Sequence, residues 1–336
     1  MPHQLHELGV KKHRLKSVLL AMLDFKTMVI KHLLRSFILL LLSFVVTNAQ
    51  QTSLQDLVDR AAKTAVARFA DKKLDEKQLS ITLIDLRDAK KPVTASFRGN
   101  ERIYPASVVK LFYLVAAQRW LEDKKIPESS ELTRAIRDMI VDSSNEATQY
   151  VVDVITHTTA GYELTPKEME DWQFQRNAVN RYFSSLGYTN INVNQKTFCE
   201  DAYGRERISR GPNGENRNKL TTDATARLLM EIVTGKIVPE RTAFMMDLLK
   251  RDYTRKTVDQ DDQARGFSGG ALQGVDGARL WSKAGWTSTT RHDVAYIEMP
   301  DGSRFVLATF TTDHANDHEI IPAIAKFVID GLKNVK

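Results

Sequence analysis

Ser107 and Lys110 are the two residues of this chain whose types and spacing most directly suggest chemistry. A serine hydroxyl is a poor nucleophile until a base takes its proton, and a lysine three residues later on a helix lies on the same face, one turn away. No other serine in the sequence has a lysine at that spacing. The pair therefore suggests a serine nucleophile activated by a lysine, but surface serines and lysines also fall three apart by chance, so further motifs are needed to support it.

The alternative is that Ser107 caps a helix and that Lys110 is a solvated surface residue. The neighbouring positions argue against it, because they make this helix apolar nearly all round: Val108, Val109, Leu111, Phe112 and Leu114. A lysine in such a helix is expected to be buried, which lowers its pKa and lets it act as a base, especially beside a second cation such as Lys283.

Two further short motifs lie downstream, at Ser143-Ser144-Asn145 and at Lys283-Ala284-Gly285. The Ser143 hydroxyl would relay a proton to a departing nitrogen if it lay near both Ser107 and a lysine. Taken alone, serine and asparagine at this place are better explained as helix caps. The Lys283 ammonium suits a substrate carboxylate, and a glycine two residues later lets the backbone approach a ligand closely.

In this order, Ser107-x-x-Lys110, Ser143-x-Asn145 and Lys283-x-Gly285 resemble the active-site set of class A β-lactamases and the related penicillin-binding proteins. The resemblance covers most of residues 51–335. It implies a cleft that needs no metal or cofactor. It also implies the roles of the remaining site residues: Asn145 holds the substrate's amide side chain and contacts Lys110, the N–H groups of Ser107 and Trp286 form the oxyanion hole, and Arg291 is a second carboxylate clamp. For Arg291, a solvated strand-end arginine is the alternative.

The sequence departs from that family pattern at several positions. Ala284 stands where a hydroxyl residue is usual, Ser144 stands where aspartate is frequent, and the stretch between the first two motifs is short, which predicts a more open cleft. The family's deacylating glutamate has no clean match in the polar segment 190–220. Counting from either end of that segment gives Glu200, which we prefer, or Glu206, and for each an exposed loop glutamate without special function is the alternative.

The periodicity of the remaining chain predicts an α+β fold. Strand patterns occur near residues 79–86, 92–97, 279–283, 293–299 and 304–310, and helical patterns near 54–69, 107–122, 133–156, 175–186, 222–234 and 316–333. We therefore expect an antiparallel sheet flanked by N- and C-terminal helices (residues 50–104 and 251–336), with an inserted all-α part over residues 105–250.

Charge and cysteine content narrow the class of partner. The chain of 336 residues has a formal net charge of +6, but residues 1–49 contain seven basic and two acidic residues, so the remainder, with 41 basic and 40 acidic residues, is nearly neutral. This balance gives no support to a nucleic-acid partner. The single cysteine, Cys199, cannot form an internal disulfide and is expected to be a partly buried, inert thiol.

The N-terminal segment has the pattern of an export signal. Basic residues precede a short apolar run over residues 37–46, and Ala49 offers a small residue for cleavage, so residues 1–49 are predicted to be a leader. Residues 1–27 lie outside this pattern, which makes Met28 an alternative start of synthesis. The run is about half of the roughly 20 apolar residues that a membrane span needs, although an uncleaved anchor is the alternative. We expect a periplasmic or secreted monomer whose only membrane contact is through this signal.

Three functions are compatible with these motifs. The first is a β-lactamase-like hydrolase that opens the β-lactam ring through an acyl-Ser107 intermediate. The second is a D-alanyl-D-alanine carboxypeptidase or esterase acting on cell-wall peptides, which the open rim and the missing glutamate signature favour. The third is a penicillin-binding sensor domain that is acylated once and stays acylated.

Overall fold

The structure of the chain is a computed structural model that describes residues 53–199 and 201–335. The predicted leader, residues 1–49, and one of the two candidate deacylating glutamates, Glu200, lie outside the described residues. Within the described part of the chain, no helix is both long enough and apolar enough to cross a bilayer.

A single antiparallel sheet forms the centre of the described chain, as the strand patterns predict. Its strands are β1 (Leu79–Asp85), β2 (Val93–Phe97), β3 (Lys250–Arg251), β4 (Arg279–Trp286), β5 (Thr290–Glu298) and β6 (Arg304–Thr312). They lie in the order β2-β1-β6-β5-β4-β3, so strands from the two ends of the chain are neighbours. Strand β3 was not predicted, because two residues are too few to show an alternating pattern.

The helices surround this sheet. They are α1 (53–68), α2 (Lys110–Glu122), α3 (Ser130–Val141), α4 (Asn145–Thr156), α5 (Pro166–Arg176), α6 (Ala178–Ser185), α7 (Gly204–Arg210), α8 (Thr222–Val233), α9 (Thr242–Leu249) and α10 (Ile320–Leu332). The predicted helix over 133–156 is two helices, because the chain turns sharply at Ser143. The segment 190–220 lacks a periodic pattern, yet it contains α7.

Both faces of the sheet are buried, and each belongs to a different core. In β5, for example, Val294 and Tyr296 contact the core that includes α2 and α8, whereas Ala295 and Ile297 contact the core formed with α1 and α10. Successive side chains of a strand point to opposite faces, so a strand buried on both sides is apolar at consecutive positions. The predicted α+β architecture, with terminal helices on the sheet and a helical insertion, is confirmed.

Candidate active site

The three sequence motifs meet at the hydroxyl group of Ser143. The Lys110 ammonium lies 3.3 Å from the Ser143 Oγ and also donates to the Ser143 carbonyl oxygen, at 2.5 Å, and to Asn145 Oδ1, at 2.9 Å. From the opposite side, Lys283 Nζ lies 3.0 Å from the same hydroxyl oxygen. Ser143 therefore bridges two amines that are 173 residues apart in the sequence (110 and 283).

Local backbone conformation places these groups. Ser107 lies in the 3-10 turn Ala106–Val109, and Lys110 is the first residue of α2, so the two side chains lie one turn apart. Ser143 has φ of 58°, a left-handed conformation that separates α3 from α4. Ser144 then caps α4, because its Oγ accepts a hydrogen bond from the Ala147 N–H at 3.0 Å. Ser144 thus shapes the turn rather than contacting the amines.

Gly285 brings strand β4 against the turn that contains Ser107. A Cβ atom built at Gly285 would lie 2.6 Å from the Ser107 nitrogen and 2.7 Å from the Val108 nitrogen, both shorter than any ordinary contact. Only glycine fits at this approach. The Ser107 N–H is thereby held beside the end of β4, where Trp286 follows. The participation of the Trp286 N–H in an oxyanion hole stays a prediction.

Burial perturbs the protonation of both amines. Lys110 and Lys283 are fully buried, although Ser107 is only partly so. Loss of water lowers the pKa of Lys110 to about 7, and the nearby Cys199 and then Glu146 oppose this shift. The pKa of Lys283 is also well below its usual value, first because of burial and then because Lys110 and Arg251 add positive charge nearby. A neutral amine that can accept a proton is therefore available near neutral pH.

Gln263 is a site residue that sequence reasoning missed. Its Oε1 accepts a hydrogen bond from Lys283 Nζ at 2.6 Å, while its Nε2 donates to the carbonyl oxygen of Val141 at 2.9 Å. It therefore links the amine on the sheet to the end of α3 in the helical part. Gln263 lies in an irregular segment between β3 and β4, where no motif or periodicity distinguishes it.

His292 holds the chain that leads to Ser107. Its Nε2 lies 2.9 Å from the carbonyl oxygen of Tyr104, and its Nδ1 accepts a hydrogen bond from the Thr311 N–H at 3.2 Å, which assigns the proton to Nε2. Burial lowers the pKa of His292 to about 4, so the ring is neutral at physiological pH. Asp293, next in the strand, accepts from the Ser268 N–H.

The structure does not place Arg291 as an exposed carboxylate clamp. Its side chain is 1% exposed, and its guanidinium donates to Asp261 Oδ1 at 2.5 Å and to the carbonyl oxygens of Gln260 and Gly266 at 2.8 Å each. It also stacks on the ring of Phe267. Arg291 is therefore neither a clamp for a substrate carboxylate nor a solvated strand-end arginine, and both sequence-based interpretations are wrong. It anchors the segment that contains Gln263.

Of the two glutamates that the sequence offers for deacylation, the structure describes Glu206 and not Glu200. Glu206 is fully buried and pairs with Arg176 at 2.7 Å and with Lys196 at 3.4 Å. Both carboxylate contacts are to buried cations, which leaves Glu206 committed to ion pairs and not favoured for this role.

The segment before Glu200 lies beside the site. The Asn145 Nδ2 donates to the Phe198 carbonyl oxygen at 3.5 Å. Cys199 is exposed rather than partly buried, and its thiol donates to Glu146 Oε1 at 3.0 Å. Both contacts connect this segment to the first turn of α4, which contains Asn145.

Solved structures with the same fold include β-lactamases and a penicillin-binding protein. A β-lactamase of Sphaerobacter thermophilus is 18% identical, with a TM-score of 0.58, over 83% of this chain and 98% of that one. A β-lactamase of Chitinophaga pinensis is 16% identical, with a TM-score of 0.59, over 83% and 99%. The protein PBP-A is 18% identical, with a TM-score of 0.55, over 85% and 96%. At this identity the likeness shows the fold alone.

The sequence itself also matches a family. No curated protein matches the chain. The model of the Beta-lactamase enzyme family, however, matches residues 61–331, which include all three motifs and nearly the whole described fold. The extent of this match shows that the chain belongs to the β-lactamase enzyme family.

Proposed function

We propose that this protein is an exported serine hydrolase that opens β-lactam rings through an acyl-Ser107 intermediate. The observation that carries the proposal is the single hydroxyl of Ser143 between two buried amines, 3.3 Å from Lys110 and 3.0 Å from Lys283. Family membership supports a hydrolase of this superfamily.

In the proposed acylation, neutral Lys110 accepts the Ser107 proton while the Ser107 oxygen attacks the lactam carbonyl carbon. The N–H groups of Ser107 and Trp286 stabilise the oxyanion. As the tetrahedral intermediate collapses, the C–N bond breaks and the Ser143 hydroxyl gives its proton to the departing nitrogen, being reprotonated by a lysine. A substrate carboxylate at Lys283 would raise the pKa of that amine and favour its cationic form, while Lys110 acts as the base.

The test is to mix the protein with benzylpenicillin and measure its mass. We expect an increase equal to the mass of intact penicillin, localised by proteolysis to the peptide that contains Ser107. Ser107→Ala is the matched control and should gain no mass. Absence of both an adduct and ring opening with the wild-type protein, under conditions in which a reference β-lactamase reacts, would overturn the proposal.

A second candidate is a D-alanyl-D-alanine carboxypeptidase or esterase. It would form its acyl-enzyme with the same residues and would hydrolyse that intermediate by a different route. The buried ion pairs of Glu206 favour it, because they remove one of the two glutamates available to activate water.

Time courses separate the three candidates. Continued hydrolysis of a chromogenic β-lactam supports a β-lactamase. Release of D-alanine from a stem peptide, with negligible β-lactam turnover, supports the peptidase. One equivalent of opened ring followed by a flat trace supports a sensor that stays acylated. Replacing Glu200 by glutamine should leave acylation intact and slow turnover if Glu200 positions the hydrolytic water.

Export rests on the leader pattern of residues 1–49. We expect the protein, expressed with its full N-terminus in a Gram-negative host, to be recovered from the periplasm or medium with Gln50 as its first residue. Recovery of the uncut chain in the membrane fraction would support the uncleaved anchor instead.

A further inference from the structure

A small polar cavity of about 110 Å³ lies next to the Ser107 turn and has no part in the steps above. Its lining includes Tyr104, Gln195, Lys196, Phe198, Arg210 and Arg217. Tyr104 precedes the nucleophile by three residues, and the Phe198 carbonyl oxygen accepts a hydrogen bond from Asn145. The cavity is thus attached to the nucleophile turn and to the residue that contacts Lys110.

The cavity is rich in positive charge that the described residues only partly neutralise. Lys196 pairs with Asp153 and Glu206, and Arg210 pairs with Asp201. The guanidinium of Arg217, in contrast, forms no ion pair within 4 Å and no side-chain hydrogen bond with any residue that the structure describes, although the Asp201 carboxylate, which also lines the cavity, acts on it at longer range. Two more basic side chains, Arg102 and Lys219, lie near Arg217 and flank the bridge between Ile103 and Leu220. Burial lowers the pKa of Lys219, and the positive charges of Arg217 and then Arg102 lower it further.

Arg217 is oriented for binding an anion. Its guanidinium carbon lies 4.1 Å from the centroid of the Tyr104 ring, so the ring fixes one face of the planar group. Stacking uses that face and leaves the N–H groups along the edge available to a carboxylate in a bidentate pair.

Gln195 offers a second polar contact in the same cavity. It is 4% exposed, and its Oε1 has no hydrogen-bond partner among the described residues, while its Nε2 donates to Ser209 Oγ at 3.2 Å. An unsatisfied buried amide oxygen costs about 1–3 kcal/mol. Turning the amide by 180° would let the Ser209 hydroxyl donate to the oxygen and would aim the NH₂ group at the cavity.

We infer that this cavity binds a carboxylate on the acyl side chain of the substrate, held by Arg217 and Gln195. The inference rests on the proposed function, which places the scissile carbonyl at Ser107. Strand β4 approaches Ser107 from one side through Gly285. In the proposed function, Lys283 on that strand binds the carboxylate on the nitrogen side of the scissile bond. Tyr104 and Phe198 lie on the loop side, so an anion bound there belongs to the acyl part.

The test compares carbenicillin with benzylpenicillin, which differ by one carboxylate on the acyl side chain. We expect the wild-type protein to be acylated by carbenicillin with the higher second-order rate constant. Arg217→Gln should reduce the rate for carbenicillin on the order of tenfold and leave that for benzylpenicillin nearly unchanged. Arg134→Gln is the matched control, since it also removes one exposed arginine, from α3, and should change neither rate.

Equilibrium binding tests the cavity without any acylation. Phenylmalonate and phenylacetate, the acids of the two side chains, should be titrated against the wild-type protein and Arg217→Gln by calorimetry. Tighter binding of phenylmalonate that disappears in Arg217→Gln supports the inference. Equal binding of both acids, or a preference that survives in Arg217→Gln, overturns it.

Further outcomes show whether a β-lactam or a cell-wall peptide supplies the carboxylate. They also separate a failure of the anion site from a failure of the β-lactamase proposal. Preference for a D-alanyl-D-alanine peptide with a free side-chain carboxylate over its amide, lost in Arg217→Gln, supports the cavity and assigns a cell-wall peptide. If benzylpenicillin forms no adduct yet phenylmalonate binding depends on Arg217, the β-lactamase proposal fails and the anion site stands. If benzylpenicillin reacts but neither pair of ligands is discriminated, the anion site alone fails.

Discussion

We predict that the buried Lys110 lowers the free energy of unfolding of the protein, so its proposed role as a base comes at a cost in stability. Its pKa falls from 10.5 to about 7 on folding because burial removes water from the ammonium. A group whose pKa is lower in the folded state loses a proton on folding between these two pH values, so the unfolded state binds more protons and stability rises with pH. At pH 7, where Lys110 is half protonated in the fold, this difference of about 3.5 pKa units corresponds to about 4 kcal/mol of destabilisation.

The perturbation is Lys110→Met, which keeps an unbranched chain and removes the amine. The lost hydrogen bonds to the Ser143 and Asn145 oxygens offset part of the gain. The dependence on pH, however, isolates the ionisation. We expect the stability of Lys110→Met relative to wild type to decrease by about 2 kcal/mol between pH 7 and pH 9, at about 1.4 kcal/mol per pKa unit.

Urea denaturation of both proteins at pH 7, 8 and 9 measures this difference. Lys63→Met, which removes an exposed lysine from α1, is the control and should show no comparable trend. The reasoning is refuted if the stability difference between Lys110→Met and wild type is the same at pH 7 and pH 9, because the pKa of Lys110 would then not be depressed by folding.

Three further outcomes are expected. The acylation rate by penicillin, followed by stopped flow, should fall about tenfold per pH unit below the Lys110 pKa of about 7 and level off above it; a flat profile from pH 5 to 8 contradicts Lys110 as the base. Gln263→Ala should slow acylation about tenfold, since Lys283 loses a hydrogen-bond acceptor at 2.6 Å, and an unchanged rate contradicts that role. The wild-type protein should lose stability as pH falls from 6.5 to 4.5. In this range His292 stays neutral in the fold, where its pKa is about 4, but gains a proton in the unfolded chain. Thermal melts should show a smaller loss in His292→Gln.

Much of the fold was predictable from local patterns. Helix α2 is apolar nearly all round in sequence and is the buried centre of the helical part. Strands β5 and β6 are apolar at consecutive positions because both of their faces are covered. The break at Ser143 was harder to predict, because a left-handed serine between two helices has no periodic signature.

The site was predictable only where short motifs identified its residues. Ser107, Lys110, Ser143 and Lys283 were named from their order and spacing, and the structure brings the last three to a common hydroxyl. Gln263 had no such motif. Its position depends on a long segment between β3 and β4 that Arg291 holds in place.

The sequence by itself determined the reactive residue types, the apolar surroundings of Lys110 and the order of helices and strands, because each depends on spacing within a few turns or strands. Only the tertiary structure decided which partner each distant charge finds. Arg291 points inward and pairs with Asp261, and Glu206 pairs with Arg176. Arg217 stacks on Tyr104 beside the nucleophile turn and forms no ion pair with a described residue. The physical reason is that a buried charge must be paired or neutralised, and the partner is whichever group the folded chain brings within reach.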